Sequence, residues 1–145
     1  EVRKTYHAVT RFNPKAKEGH WVDRLIEKRV DGKLRVERGN GPTCKANVRF
    51  LRKKKGENHL QLIELRPSTG RTHQLRVQCM LRKIPIVGDK TYGDFSLNRK
   101  VKRESKLDRL CLHASNIEFS IRKKGQVINF TCESPLPRLI GKVFT

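Results

Sequence analysis

Residues 62–92 read LIELRPSTGRTHQLRVQCMLRKIPIVGDKTY, and this stretch decides the fold. The apolar run at 62–65 is typical of a buried strand, and the Pro-Ser-Thr-Gly set at 67–70 marks the turn that ends it. Beyond that turn the apolar spacing changes from two residues to 3.6, which predicts a helix from near Thr72 to Pro85. Its apolar face comprises Val77, Met80, Leu81 and Ile84.

Two antiparallel hairpins are predicted on either side of this helix. The strand-like segments 45–51 and 59–65 flank the turn-rich, basic segment 53–58. In the same way, 117–121 and 127–131 flank a Lys-Lys-Gly turn. The chain therefore contains strands that pair with their neighbours in sequence.

The first forty residues add shorter elements. Residues 5–9 are rich in β-branched and aromatic side chains, which favours a strand. The apolar spacing within 19–29 is interpreted as one or two turns of surface helix. A hairpin turn at 31–32 precedes an alternating strand at 33–37, and the glycine-rich segment 38–42 is predicted to be a loop.

The last third contains a segment with few apolar anchors. Residues 94–108 carry five Lys and Arg side chains and are predicted to form a mobile basic loop. The tail after Pro137 is expected to form a short closing helix. The fold class is α+β: a mixed, mostly antiparallel sheet with one main helix, in a single domain over residues 1–145. We expect this domain to be incomplete at its N-terminus.

The charge of the chain points to a polyanionic partner. Thirty-four Lys and Arg against fourteen Asp and Glu give a formal net charge of +20. Solubility needs far less, whereas nucleic acid neutralises such an excess. RNA or DNA is the leading partner, and an acidic membrane surface or a merely basic protein is the alternative.

Cysteine spacing and hydropathy exclude several classes of site. The cysteines at 44, 79, 111 and 132 form no C-x-x-C pair and have no matching histidine spacing, so neither a zinc site nor a redox motif is indicated. No apolar run approaches the roughly twenty residues of a membrane span. We expect a soluble protein of the cytoplasm, with an organellar location left open.

The turn after residue 70 has the chemistry of an anion site. Backbone N–H groups at a helix start attract anions, and Arg71 and Arg76 add forked cationic donors that can hold a phosphate or a carboxylate. Such a turn could serve binding alone, catalysis, or a structural role for one arginine.

Three blocks of sequence in this order resemble the RluA-type RNA pseudouridine synthases. They are LxPxTGRTHQLRV at 65–77, PIxGDxxYG at 85–93 and RLxLHA at 109–114. Lys4-x-Tyr6-x-Ala8 resembles a fourth block, and ESPLP at 133–137 resembles the closing segment of the family. The resemblance implies a pseudouridine synthase-like fold and isomerisation of uridine in rRNA or tRNA, without metal or cofactor.

The resemblance also implies roles for individual residues. Tyr6 would be a catalytic residue that stacks on the base and is a candidate for proton removal at C5, although a strand tyrosine is otherwise a common packing residue. Arg76 would be the catalytic basic residue that pairs with the nucleophilic aspartate and keeps it ionised. The substrate-binding group comprises Arg71, Thr72, His73, Gln74 and Leu75, in which His73 could equally be structural. Structural support is assigned to Gly70, Gly88, Asp89 and His113.

One element of the family pattern is missing from these 145 residues. The family's nucleophile is the aspartate of a His-Arg-Leu-Asp block upstream of the Lys-x-Tyr strand, and no such block is present. Asp108 imitates part of it in the wrong place, and the remaining aspartates are assigned to turns or surface segments. We therefore expect the C-terminal portion of a catalytic domain, whose nucleophile lies before Glu1 or on a second chain. The alternative is an inactive remnant that binds RNA within a ribonucleoprotein.

Overall fold

The structure is a computed structural model that describes residues 1–54, 56 and 59–144. Its elements are β1 (Val2–Arg11), β2 (Gly19–Val30), β3 (Lys33–Lys54), β4 (Leu60–Pro67), α1 (Gln74–Leu81), α2 (Phe95–Ser105), β5 (Leu112–Lys123), β6 (Gln126–Glu133), α3 (Arg138–Gly141) and a 3-10 helix (Lys142–Phe144). The six strands form one sheet in the order β2-β3-β4-β1-β5-β6.

The α+β class is confirmed, and so are both predicted hairpins, β3–β4 and β5–β6. All pairings between these six strands are antiparallel, so the described sheet is not mixed. The predicted basic tip of the first hairpin includes residues 55, 57 and 58, which lie outside the described residues. The predicted closing helix is present as α3, and Ile140 is buried there.

The helix predicted within residues 19–29 is wrong, because this segment is strand β2. Trp21, Asp23 and Leu25 are buried in alternation, which is the period of a strand. An aspartate occupies one of these inward positions and interrupts the apolar alternation. The remaining apolar residues then match helical spacing by coincidence.

The mobile loop predicted at 94–108 is also wrong, because most of it forms α2. The Asp94 side chain accepts a hydrogen bond from the Leu97 N–H at 3.0 Å and so caps the helix N-terminus. Val101 is buried and anchors the helix, and Lys106 ends it in a left-handed conformation. The fold therefore has a second helix, longer than α1.

The predicted loop at 38–42 is a bulge within β3. Arg38 pairs with Leu25 and Thr43 pairs with Arg24, so the residues between them bulge from the ladder. The preceding hairpin turn is confirmed: both Asp31 and Gly32 have positive φ, as a tight two-residue turn requires.

Helix α1 is shorter than predicted, because Lys83 has a φ of 58° and the chain leaves the helix before Pro85. Ile86 then bridges Thr10 of β1, and the Val87 N–H donates to the Val9 carbonyl at 2.9 Å. These contacts hold the following Gly88-Asp89 turn against the sheet and close to α1.

Candidate active site

A cleft of about 260 Å³ lies where β1 meets the turn after β4 and the start of α1. Its lining residues are Lys4, Tyr6, Pro67, Thr69, Gly70, Arg71, His73, Gln74, Leu75, Arg76 and Leu112. The fold thus brings the two predicted catalytic residues and most of the predicted substrate-binding group to one place. Thr72 does not line this cleft; with Arg71 it lines a neighbouring pocket beside Leu25 and Val36.

Tyr6 reaches the cleft from the middle of the sheet. It pairs with Leu65 on β4 and with Ala114 on β5, next to a bulge between β1 and β5. Its side chain is half-buried, as a ring with one face open to a ligand would be. Lys4, two residues earlier on the same strand face, and Leu112 also line the cleft and were not among the predicted site residues.

Arg76 forms a bidentate ion pair with Asp89. The distances are 2.8 Å from Nε to Oδ2 and 2.9 Å from Nη2 to Oδ1, and Nη1 takes no part in this fork. The Asp89 side chain is 1% exposed and that of Arg76 is 18% exposed. The sequence interpretation left Arg76 without a carboxylate in this chain. That interpretation is wrong, because the carboxylate of Asp89 is already bound to the Arg76 guanidinium.

Asp89 is ionised despite its burial. Burial alone would raise the pKa of Asp89, but hydrogen bonds from Arg76 and from the backbone N–H groups of Tyr92 and Thr91 outweigh it, and the net pKa lies below its usual value. The hydrogen bond from Arg76 to Asp89 in turn raises the pKa of the guanidinium. Both groups stay charged at neutral pH.

Tyr92 connects this ion pair to the start of α1, and it was absent from the predicted site. Its ring lies 5.0 Å from the Arg76 guanidinium carbon, a cation–π contact. Its hydroxyl accepts a hydrogen bond from the Val36 N–H at 2.8 Å and lies 2.8 Å from Nδ1 of His73. The available signal was its place at the end of the Gly-Asp block.

His73 occupies a special backbone position. It is the N-cap of α1 with a φ of 52°, a left-handed conformation. Burial, followed by the nearby positive charge of Arg76, lowers the pKa of His73, so the ring is neutral at neutral pH. Nδ1 of the neutral ring can form a hydrogen bond with the Tyr92 hydroxyl, and His73 also lines the cleft.

Gln74 holds the turn from within. It is 3% exposed, and its Oε1 accepts hydrogen bonds from the Thr69 hydroxyl at 2.8 Å and from the Arg71 N–H at 3.2 Å. Because the chain itself satisfies the Arg71 N–H, the turn is less of an open anion site than the sequence suggested. The side chain of Arg71 remains exposed at the rim.

A buried polar chain extends from Gln74 to β2. The Gln74 amide donates to Gln78 at 3.3 Å, and Gln78 donates to Asp23 at 2.9 Å. Asp23 also pairs with Arg82 at 2.8 Å and with Arg38 at 3.3 Å. Burial would raise the pKa of Asp23, but these hydrogen bonds outweigh it and lower the pKa. The sequence assignment of Asp23 to a turn or surface segment is therefore wrong.

The residues predicted to give structural support have different surroundings in the fold. Gly88 has a φ of 79°, and a Cβ there would overlap the carbonyl oxygen of Arg109. A Cβ on Gly70 would meet open space, so nothing in the described fold demands glycine there. His113 is half-buried outside the cleft, with Nε2 3.0 Å from the Ser134 carbonyl oxygen.

No acidic side chain is among the described residues that line the cleft. Asp108 is on the surface and pairs with Lys102 at 2.6 Å, and Asp94 caps α2. The part of the chain that the structure describes also holds no group of three or more potential metal ligands. None of its helices is long and apolar enough to cross a membrane.

The arrangement suits recognition of an anionic aromatic ligand. Tyr6 offers a ring for stacking, and Lys4, Arg71 and Arg76 offer cations to phosphate or carboxylate groups. A nucleotide has both features. The described residues that line the cleft do not include a free carboxylate that could act as a nucleophile or as a general base.

Comparison with known proteins gives consistent matches. Residues 1–81 match the model of the RNA pseudouridylate synthase family. A tRNA pseudouridine synthase C from Vibrio vulnificus is 33% identical over 138 residues, which cover 82% of this chain and 52% of that protein. A ribosomal large subunit pseudouridine synthase C from Rickettsia bellii is 36% identical, covering 98% of this chain and 44% of that protein.

A solved structure, human RNA Pseudouridylate Synthase Domain Containing 1, superposes with a TM-score of 0.70 at 27% identity. The match covers 95% of this chain and 57% of that one. The chain spans about half the length of the curated relatives that it matches.

Proposed function

We propose that this chain, which belongs to the RNA pseudouridylate synthase family, supplies the tyrosine- and arginine-bearing half of an active site that isomerises uridine to pseudouridine in rRNA or tRNA. The observation that carries the proposal is the cleft, in which Tyr6 from β1 lies beside Arg71, His73 and Arg76 from the turn and helix. The target classes follow those in the names of the relatives.

In the proposed reaction a uridine is flipped out of its RNA, its N-glycosidic bond is broken, and the base is rejoined through C5. Flipping costs a few kcal/mol, which phosphate contacts and stacking offset. Lys4 and Arg71 at the rim would hold the backbone of the flipped nucleotide. The Tyr6 ring would stack on the base, and its hydroxyl is the candidate for removing the proton from C5.

The proposed nucleophile is an aspartate from outside these 145 residues, on the same gene product or on a second chain. Asp23 and Asp89 are buried and already bonded to arginines, and neither lines the cleft. Arg76 can meet an incoming carboxylate through Nη1 and the second N–H of Nη2, or by exchanging Asp89. In this proposal Asp89 fixes the orientation of the guanidinium, which in turn keeps the nucleophile ionised.

The test is tritium release from RNA carrying 5-tritiated uridine. The complete gene product should release tritium, and Tyr6→Phe should reduce release about 100-fold or more, in line with loss of acid–base catalysis. The affinity of the same variant for RNA should change by less than about twofold. Absence of release from the complete gene product on both rRNA and tRNA would refute the enzyme proposal.

A second candidate is an RNA-binding protein that does not isomerise uridine. It is favoured by the net charge of +20 together with the absence of an acidic side chain among the described residues of the cleft. RNA affinity should fall steeply between low and moderate salt because neutralised phosphates release counterions. Steep salt dependence without tritium release would select this candidate.

The expected compartment is the cytoplasm or, as for the chloroplastic relative of Arabidopsis thaliana, an organelle.

A further inference from the structure

A β-bulge lies directly beside Tyr6, between β1 and β5. The cross-strand pairs on either side of it are Thr5–Asn116 and Tyr6–Ala114, so Ser115 is an extra residue of β5. This extra residue changes which side chains of β5 share a face with Tyr6, because the two faces of a strand alternate residue by residue. Bulges are enriched next to active sites, where they redirect a side chain. The direction of the Tyr6 ring therefore depends on what holds this bulge.

The Ser115 side chain turns back to β1 and closes the bulge. Its hydroxyl donates a hydrogen bond to the Thr5 carbonyl oxygen at 3.1 Å and lies 2.6 Å from Nδ1 of His7. A serine hydroxyl has one proton, and here that proton goes to Thr5, so Nδ1 of His7 is the donor in the second contact. Ser115 thus bridges the two residues that flank Tyr6 in β1.

The surroundings of the other ring nitrogen of His7 agree with this assignment. Nε2 lies 3.7 Å from Oε2 of Glu64, beyond hydrogen-bond distance, and the Glu64 carboxylate is paired with Nε of Arg66 at 3.1 Å. Burial lowers the pKa of His7 and outweighs the attraction of Glu64, while the charges of His113 and Arg66 lower it further. The His7 ring is therefore neutral at neutral pH, and the contact with Ser115 places its one proton on Nδ1.

Two sequence blocks that the proposed reaction does not use meet at the same bulge. The Ser134 N–H donates to the Ser115 carbonyl oxygen at 2.9 Å, and Nε2 of His113 lies 3.0 Å from the Ser134 carbonyl oxygen. Because a carbonyl oxygen only accepts, His113 is the donor there. His113 belongs to the RLxLHA block and Ser134 to the ESPLP segment. The bulge is therefore held from β1 on one side and from the residue after β6 on the other.

From this geometry we propose that Ser115 and His7 are positioning residues, which aim Tyr6 into the cleft by holding the bulge, with His113 and Ser134 as a second tie. The proposal rests on the proposed function, in which Tyr6 stacks on the base and removes the proton from C5. These four described residues are not among those that line the cleft. They act on Tyr6 through the backbone and do not contact the reacting atoms.

Two substitutions at His7 separate the donor at Nδ1 from the rest of the ring. His7→Asn keeps an N–H donor at the position of Nδ1, whereas His7→Gln moves the amide toward the position of Nε2. In the complete gene product His7→Gln should lower kcat for tritium release about tenfold or more, with KM within about twofold, because a small misplacement of a catalytic group is costly. His7→Asn should retain kcat within about threefold. Equal losses in the two variants would overturn the proposal.

The matched control is His20→Gln, at an exposed histidine of β2 whose Nδ1 lies 2.8 Å from Oδ1 of Asn47. It should leave kcat and KM within about twofold, because this contact is outside the bulge. A loss as large as that of His7→Gln would overturn the proposal.

Ser115→Ala removes only the bridging hydroxyl and serves as the second variant where His7→Gln does not fold. Its kcat should fall about fivefold with KM unchanged. Unchanged kcat in a folded Ser115→Ala protein would overturn the role of the bridge.

The NMR signals of the Tyr6 ring report on its position without turnover. Assigned through Tyr6→Phe in the complete gene product, they should shift in His7→Gln but keep their positions in His7→Asn, which also lacks the imidazole and so controls for its ring current. Unshifted Tyr6 signals in His7→Gln would overturn the positioning, whatever the activity. Shifted signals in a product that releases no tritium would support the hold on Tyr6 and refute the proposed function alone.

Discussion

The half of the sheet that contains β2, β3 and β4 and the edge formed by β6 are stabilised in different ways. Around β4 and α1 the side chains are buried, and two aspartates, Asp23 and Asp89, are enclosed with arginine partners. Along β6 every residue is exposed, and the strand is held by its backbone ladder to β5 and by cross-strand pairs such as Phe119–Phe130. The β2–β4 half fixes the geometry of the cleft, whereas the β6 edge presents a surface.

This difference predicts where the molecule tolerates change. A buried charge that loses its partner is costly, because neither water nor another group replaces the lost interaction. An exposed side chain that loses a partner is simply hydrated. Matched substitutions in the β2–β4 half and at the β5–β6 edge should therefore differ by up to several kcal/mol.

The largest difference is expected between two arginines. Arg76→Ala should lower the free energy of unfolding by about 3–5 kcal/mol, because it leaves Asp89 buried without its cation. Arg122→Ala, at the exposed end of β5, should cost less than about 0.5 kcal/mol. Urea unfolding of both variants measures the difference, and equal midpoints would show that the Arg76–Asp89 pair contributes no net stability.

Two glycines with positive φ provide the next comparison. Gly88→Ala should cost about 2–4 kcal/mol, because backbone strain adds to a clash with the Arg109 carbonyl. Gly125→Ala, in the β5–β6 turn, adds a Cβ into open space and should cost only about 1–2 kcal/mol of left-handed strain. Thermal unfolding distinguishes them. A cost at Gly125 as large as that at Gly88 would mean that the positive φ, and not the clash with the Arg109 carbonyl, sets the loss of stability.

Acid should lower the free energy of unfolding through the two buried aspartates. The pKa values of Asp23 and Asp89 are lowered in the folded state, so their stabilisation is present above their unfolded pKa of about 4 and is lost as pH falls below it. Asp23→Asn should flatten the fall in urea midpoint between about pH 5 and pH 3, relative to the unsubstituted chain. The same slope in both proteins would contradict a charged, paired Asp23.

The last contrast concerns two hydroxyl groups. Tyr92→Phe leaves the buried Val36 N–H without its acceptor and should cost about 1–3 kcal/mol. Ser120→Ala removes an exposed hydrogen bond to Asn129 and should cost less than about 0.5 kcal/mol. Chemical denaturation at neutral pH checks both. A Tyr92→Phe variant as stable as Ser120→Ala would place the hydroxyl outside the network that holds the cleft.

The hairpins and the helix after residue 70 were predictable because local signals there agree with the final packing. At β5–β6 the apolar alternation and the Lys-Lys-Gly turn both specify a hairpin. Through the resemblance, the sequence correctly predicted that Tyr6, Arg71 and residues 73–76 line the candidate cleft. Their roles in catalysis stay predictions.

What the sequence by itself determined was both hairpins, the positive charge and most of the residues of the cleft. Only the tertiary structure decided that Asp23 is buried in a strand, that residues 95–105 form a helix and that Arg76 already holds Asp89. Each of these depends on a partner distant in sequence: Arg82 for Asp23, the core for Val101, and residue 89 for Arg76. The periodicity of a segment indicates which of its side chains face water and which face the core. It carries no information on which buried charge meets which, because that pairing is set by the way the segments pack in three dimensions.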